Sequence, residues 1–443
     1  MGSVDPQSVH AAALLQSELP SDWAAVRLKF LLSEPITDGP HLTPEFISEG
    51  FPFLSVDGIQ NGELEFEGCR YISDEDHKEF SRKASPRRDD ILLGKAASTG
   101  KVARVKVDTE FSIWSPLALL RADKEKISGA FLEYCLKCTL LQSQIDDLCS
   151  SNTQKNISMG DIPRLLLPLP SLGDQHSIAS YLVRETAYID ALIADKERML
   201  SLLDEKRAAL ISRVVTRGLD PDVQVKASGQ DWLGEIPAHW EIQPIKFLAV
   251  VGNGSTPSVE NVDYWDETGF PWLNSSVVNL SPVTSASRYV TETALRECHL
   301  PKIKPPAVLV GITGQGKTRG MAALLGMEAT INQHLAFIKP RSKQTSTEYL
   351  CYLLGHAYAF LRSDSDGAGS TKGAITCEQL ANLKIPVPPI EEQIEICSRI
   401  VQSLDILMPL RSEITNSLVL LAERRSSLIT AAVTGQIPME AMS

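Results

Sequence analysis

Several things are scarce in this chain, and each scarcity closes a class of function. No apolar run in the 443 residues approaches the roughly 18 needed for a helix to cross a bilayer. Positive charge is in deficit: 43 Lys and Arg stand against 55 Asp and Glu, a net charge of −12 and a pI near 5.3. That rules out a polybasic tail or a wholly cationic surface, so any contact with nucleic acid has to come from local patches. The eight cysteines (Cys69, Cys135, Cys138, Cys149, Cys298, Cys351, Cys377, Cys397) are scattered and form no disulfide framework. The opening residues have an apolar patch, Ala11 to Leu15, but no basic lead-in and no long apolar core of a signal peptide. A soluble protein in a reducing, cytoplasmic setting is expected. Catalytic signatures are also missing. There is no Asn-Pro-Pro-Tyr or Asp-Pro-Pro-Tyr motif, and no Ser-His-Asp or Cys-His spacing stands out. Asp76-His77-Lys78 comes nearest to a nuclease pair but has no convincing upstream carboxylate. No metal site is expected, and the chain is expected not to be an enzyme.

What is present begins with a core. Hydrophobic residues make up 43% and charged residues 22%, so a real core can be buried, and 443 residues allow about three domains, or two with long connecting elements. The chain is then written twice. Leu19-Pro20-Ser21-Asp22-Trp23 returns 217 residues later as Ile236-Pro237-Ala238-His239-Trp240. Pro168-Leu169-Pro170 with Gln175 returns at an offset of 218 as Pro386-Val387-Pro388 with Gln393. Lys206-Arg207 and Val215-Thr216 return as Arg424-Arg425 and Val433-Thr434. Twice this period spans nearly the whole chain, so it is a single tandem duplication. The opening segment and last third of each unit match well. The middles match only at scattered Gly, Pro and apolar positions. Shared parts imply a shared structural job, and diverged middles imply different recognition, ordinary drift being the alternative.

The last third of each unit reads as a long helix. Ile178, Leu182, Ile189, Leu203 and Leu210 fall at spacings built from threes and fours, as do Ile396, Ile400, Leu407, Leu421 and Leu428. Asp174 and Glu391-Glu392 sit where a helix dipole favours anions, and Gly218 and Gly435 mark the stops. Roughly 40 residues at 1.5 Å each would give a rod of about 60 Å. Two such stripes in one chain are most simply satisfied by each other, as an antiparallel pair; the alternative is that each packs on its own domain. Pro409 is expected to kink the second helix. The middles read as mixed α/β, with short strands at Phe51 to Val56, Asp90 to Leu93 and Ala307 to Gly311. Amphipathic helices are expected at Ser128 to Leu141 and Thr345 to Leu361.

Several stretches resemble the specificity subunit of type I restriction–modification systems. They are Ile36-Thr37-Asp38-Gly39-Pro40-His41-Leu42-Thr43-Pro44, Gly254-Ser255-Thr256-Pro257 with Phe270-Pro271-Trp272-Leu273, Asn332-Gln333-His334, and Pro386 to Gln393. The linker from Val215 to Trp240 is the most specific of them. The resemblance covers nearly the whole chain. It implies an α+β fold with two tandem pseudo-symmetric target-recognition domains, each followed by a long helix, the helices pairing as an antiparallel coiled coil. It implies a non-catalytic role in which each domain reads half of a split target in double-stranded DNA. It further implies that DNA adenine methyltransferase subunits dock on the helices and an ATP-dependent restriction and translocase subunit joins them. S-adenosylmethionine and ATP would then belong to the partners, with no cofactor in this chain. The expected organisation is an N-terminal extension at 1–16, recognition domains at 17–170 and 236–388, helices at 171–217 and 389–434, a linker at 218–235 and a tail at 435–443.

Under that resemblance, individual residues acquire candidate roles. Gly311 to Thr318 fits the phosphate-loop pattern G-x4-G-K-[ST], which makes a P-loop ATPase one rival reading; a protein-only helical adapter is the other. Gly320 and Gly326 interrupt the helix such a loop should open. The preferred reading is a Gly-rich turn in which Gln315, Lys317, Thr318 and Arg319 approach DNA phosphate. Lys95, Ser98, Thr99, Lys101 and Arg104 would do likewise in the first half. Lys83, Arg87 and Arg88 form a basic cluster that is either a solvated face or a backbone contact. Ser370, Thr371 and Lys372 are either a flexible link or a DNA-facing loop. His41, Thr43, Thr256, Ser258 and His334 complete the DNA-facing candidates, with surface hydrogen bonding the plainer role for the two histidines. Cys135-Leu136-Lys137-Cys138 falls in a helical stripe without a partner motif and is expected to be core.

Overall fold

The computed structural model describes residues 15–17, 19–149, 155–314, 316–366 and 373–442. The chain divides into two compact units. The first comprises Met1–Glu197 with Thr415–Ser443, the second Arg198–Ile414. The division runs through both long helices, so each unit holds a piece of each helix.

In the first unit a four-stranded antiparallel sheet has the order Thr37–Asp38, Leu117–Leu120, Ile91–Gly94, Val102–Arg104. The two central strands are wholly buried, which is why they read as continuous apolar runs rather than as alternation. A smaller sheet orders Arg70–Ile72, Phe51–Leu54, Ser112–Ile113, the last pair parallel. The expected helix from Ser128 to Leu141 is two helices, Gly129–Lys137 and Thr139–Asp147. Cys138, between them, takes an extended conformation that ends the first. Cys135 and Cys138 are both fully buried, and burial pushes the Cys138 thiol up to about 11. These are core positions.

The second unit repeats this plan. Its four-stranded sheet orders Ala249–Asn253, Leu335–Pro340, Ala307–Gly311, Ala322–Leu325, and its smaller sheet Arg288–Val290, Trp265–Leu273, Thr330–Ile331. Thr347–His356 and Tyr358–Asp366 take the place of the helix pair. Strand Glu241–Pro244 pairs with Lys384–Val387 as Ala24–Arg27 pairs with Leu166–Leu169.

The long helices span Leu172–Arg217 and Ile390–Val433. The first starts on Ser171, whose hydroxyl accepts from the Asp174 N–H at 3.2 Å. They end at Gly218 and just before Gly435, both at positive φ of 72° and 75°, which favours glycine. The second stays helical through Pro409.

Within the first unit, Ile178 and Leu182 share a core with Ile429, Ala432 and Val433, while Asp190 pairs with Arg425. Within the second, Val214 and Val215 share a core with Ile396 and Ile400, while Asp204 pairs with Arg411. In both, rising number on one helix meets falling number on the other: an antiparallel pair. In the first unit Ile189 is buried and Leu421 and Leu428 are half-buried; Leu203, Leu210 and Leu407 are half-buried in the second.

The duplication's best-matched segments explain themselves here. Each recognition domain is finished by the helix end of the other repeat. Thr139 donates its N–H to the Thr430 hydroxyl at 3.0 Å, and a side chain at Gly435 would run into Pro20 and Trp23. In the second unit Tyr349 donates to the Val215 carbonyl at 3.0 Å, and Gly218 lies against Trp240. Gln175 and Gln393 make the same fully buried joint in each unit. Gln175 accepts from the Ser128 N–H and donates to the Lys126 and Pro170 carbonyls. Gln393 accepts from the Ser346 N–H and donates to the carbonyls of Gln344 and Pro388.

Candidate nucleic-acid interface

Five of the polar groups singled out in the sequence, His41, Lys83, Lys95, Thr256 and His334, meet where the edge strand leaves each four-stranded sheet. The backbone frame at this end is the same in both units. Asp38 pairs with Ala118 and Asn253 with Ala336. The next residue is glycine in each case because no side chain fits. A Cβ at Gly39 would lie 1.8 Å from the Ile113 carbonyl oxygen, and one at Gly254 would lie 1.7 Å from that of Ile331.

The frame carries different chemistry in the two units. In the first, Asp38 is the hub. Its buried carboxylate binds Lys83, Lys95 at 3.0 Å and His41 at 3.3 Å. Burial alone would raise its pKa; the hydrogen bonds from Lys83 and Lys95 hold it below the ordinary value instead. In the second, no charge is needed. The Thr256 hydroxyl donates to Gln333 Oε1 at 2.6 Å, Gln333 Nε2 lies 3.2 Å from His334 Nε2, and His334 Nδ1 lies 2.6 Å from the Thr313 hydroxyl. The turn that bears Gln333 and His334 is fixed by Asn332. This residue is buried; its side chain accepts from the His334 N–H at 3.0 Å and its N–H donates to the Leu273 carbonyl at 2.9 Å. Ile312 N–H then ties the His334 carbonyl to the neighbouring strand at 3.0 Å.

So the structure brings His41, Lys83 and Lys95 together, and joins Thr256 to His334. The remaining candidates are dispersed. Thr43 and Ser258 are exposed. Ser98 and Thr99 are half-buried, Thr99 donating to the Lys155 carbonyl at 2.6 Å. Lys101 donates to the Ile59 carbonyl at 2.9 Å, and Arg104 is held by Asp89 and Glu133. Arg87 and Arg88 are exposed, Arg88 doubly bonded to Asp108, and both border a cleft with Arg104 and Arg121. Gln315, Ser370, Thr371 and Lys372 lie outside the described residues.

The phosphate-loop pattern has a different shape from its namesake. Gly311 ends a strand and Ala322–Leu325 returns antiparallel to it, so the segment joins a hairpin and opens no helix. The amide cradle at a helix N-terminus, which such loops need, does not form there. Lys317 is exposed and Thr318 half-buried, while Arg319 is 3% exposed and faces the interior. Arg362 donates to the Gly316 carbonyl at 2.6 Å and Tyr358 to that of Lys317 at 2.9 Å, which fixes the hairpin on the following helix.

Sequence reasoning missed Asp38, Asn332 and Gln333 as site residues. The signal lay in the stretches Thr37-Asp38-Gly39 and Asn332-Gln333-His334, but only closure of the sheet brings their partners to them.

The model of the type I restriction modification DNA specificity domain matches twice, at residues 20–198 and 237–418. The chain belongs to the type I restriction–modification specificity family. It is 24% identical over 430 residues to the putative type I restriction enzyme MjaX specificity subunit of Methanocaldococcus jannaschii, covering 95% of each chain. It is 22% identical over 444 residues to the EcoKI specificity subunit of Escherichia coli K12, covering 95% of this chain and 90% of that one. Its fold resembles a chain from a structure describing complex assembly and conformational transition of the type I restriction–modification system. The TM-score is 0.68 at 18% identity, over 95% of this chain and 99% of that one. This type I specificity subunit therefore has two target-recognition domains, and the two repeats of its sequence are those domains. Among the described residues, no helix is long and apolar enough to cross a membrane.

Proposed function

We propose that this subunit reads a bipartite target in double-stranded DNA without catalysing a reaction itself, each recognition domain addressing one half. The observation that carries the reading is the divergence at the sheet ends: an identical frame presents Asp38, Lys83, Lys95 and His41 in one unit and Thr256, Gln333, His334 and Thr313 in the other. A chain that reads two unlike half-sites needs both chemistries.

The long helices then serve partners. Large apolar side chains stay exposed on them: Val183, Tyr188, Val419 and Leu420 in the first unit, and Met199, Leu202, Ile406 and Met408 in the second. Such a density of exposed apolar residues on helices fits docking of DNA adenine methyltransferase subunits, with an ATP-dependent restriction and translocase subunit joining the complex. S-adenosylmethionine and ATP are bound by those partners. The net charge of −12 fits a subunit whose grip on DNA is completed by them.

The test is methylation profiling of DNA from cells that express the complete complex. Methylation confined to one split sequence supports the reading; methylation without sequence preference, or at an uninterrupted site, overturns it.

A further inference from the structure

We infer that Gln333 is the adenine-reading residue of the second recognition domain, held for that task by Thr256, His334 and Thr313. The inference deepens the proposed function and rests on it. A glutamine amide offers two N–H donors and two acceptor lone pairs. Here one lone pair takes the Thr256 hydroxyl at 2.6 Å, and one N–H faces His334 Nε2 at 3.2 Å. His334 in turn meets the Thr313 hydroxyl through Nδ1 at 2.6 Å. Either orientation of the amide closes this chain, because the threonine hydroxyls and the imidazole can each donate or accept. Among the described residues, either orientation leaves Gln333 one N–H and one lone pair unused, and the residue is exposed.

An amide that offers both a donor and an acceptor matches the adenine edge in the major groove, where N7 accepts and N6 donates. The other bases fit less well: guanine offers two acceptors there, and cytosine only a donor.

Rigidity separates this amide from an ordinary surface glutamine. A free glutamine loses side-chain entropy on binding. Gln333 is immobilised beforehand, and its backbone is pinned through Asn332 and Ile312. Thr256 is brought to Gln333 by the close approach of Gly254 to Ile331, and Thr313 to His334 by the pairing of Gly311 with Leu335. In the first domain the corresponding turn is Trp114-Ser115-Pro116, which carries no amide, so the inference applies to one half-site only.

The experiment compares methylation profiles of the complete complex carrying wild-type subunit, Gln333→Ala and Gln333→Glu. Alanine is expected to relax one adenine position in one half-site, lowering discrimination there by roughly 5- to 150-fold, the equivalent of about 1–3 kcal/mol, and to leave the other half-site unchanged. Glutamate keeps the shape but removes the donor, and is expected to disfavour adenine at that position. Because Gln333 is exposed, neither change threatens the fold, and the untouched half-site reports on it. The inference falls if both variants methylate only the wild-type sequence, or if the relaxed position is not adenine, or if both half-sites relax together. A wild-type complex with no split target would instead remove the proposed function, and this inference with it.

Discussion

The guanidinium of Arg425 grips the carboxylate of Asp190 through two hydrogen bonds, of 2.7 and 3.1 Å, from one long helix to the other. The residues are 235 apart in sequence, and the pair fixes the antiparallel register within the first unit. Its energy is small because both groups are partly exposed; about 0.2–1 kcal/mol is the usual range for such a pair. The adjoining apolar seam contributes more. Ile429, buried against Ile178 and Leu182, should cost about 2–5 kcal/mol when cut to alanine. Urea unfolding of Arg425→Ala, Asp190→Asn, their double variant and Ile429→Ala measures both. The ion-pair coupling is expected below about 1 kcal/mol and the Ile429 effect above about 2.

Asp38 makes the first unit acid-sensitive. Its folded pKa lies below the ordinary 3.8, so its stabilisation is complete above the unfolded value and drains away as pH falls through the folded one. Asp38→Asn should cost about 1–3 kcal/mol at pH 7, since two lysines lose a charged acceptor, and should weaken the stability loss below about pH 4. Urea midpoints at pH 7 and pH 3 check this; equal loss in both proteins would assign the acid response to other carboxylates.

Lys317 separates DNA reading from nucleotide binding. It is exposed at the tip of a hairpin, not at a helix N-terminus. Lys317→Ala in the assembled complex should weaken DNA binding across sequences and lower the salt slope by about one. Loss of ATP binding by this chain, with DNA binding intact, would revive the ATPase reading.

The exposed apolar residues predict where partners dock. Ile406 is 73% exposed and Met408 53% exposed. Replacing both with aspartate should lower methyltransferase-subunit binding by about tenfold or more, with little change in melting temperature, because neither side chain supports the core. Co-purification together with calorimetry reads both quantities.

Much of this architecture was legible in the chain. The 218-residue period announced two equal domains, and the stripe from Ile178 to Leu210 announced a helix with an apolar face too long for a solitary element. Antiparallel pairing followed because a second such stripe existed. The exchange of helix ends was not legible, since periodicity tells which face of a helix is buried but not against what. The matching of Trp23 and Trp240 was visible; that each seals the end of the other repeat's helix needed coordinates. The site was harder still. In the sequence Gln333 is one polar residue among many; its neighbours Thr256 and, through His334, Thr313 come from segments distant in the chain. The loop from Gly311 to Thr318 was misleading for the converse reason: glycines beside a lysine serve a β-hairpin as readily as a phosphate cradle, and only the next element decides.

Under the proposed function, the paired helices are expected to set the gap between the two half-sites. Insertion of one helical turn, four residues, into both long helices tests it most directly. Methylation profiling of the complete complex should return the same two half-site sequences with a changed gap between them. An unchanged gap, with both half-sites intact, would contradict the account.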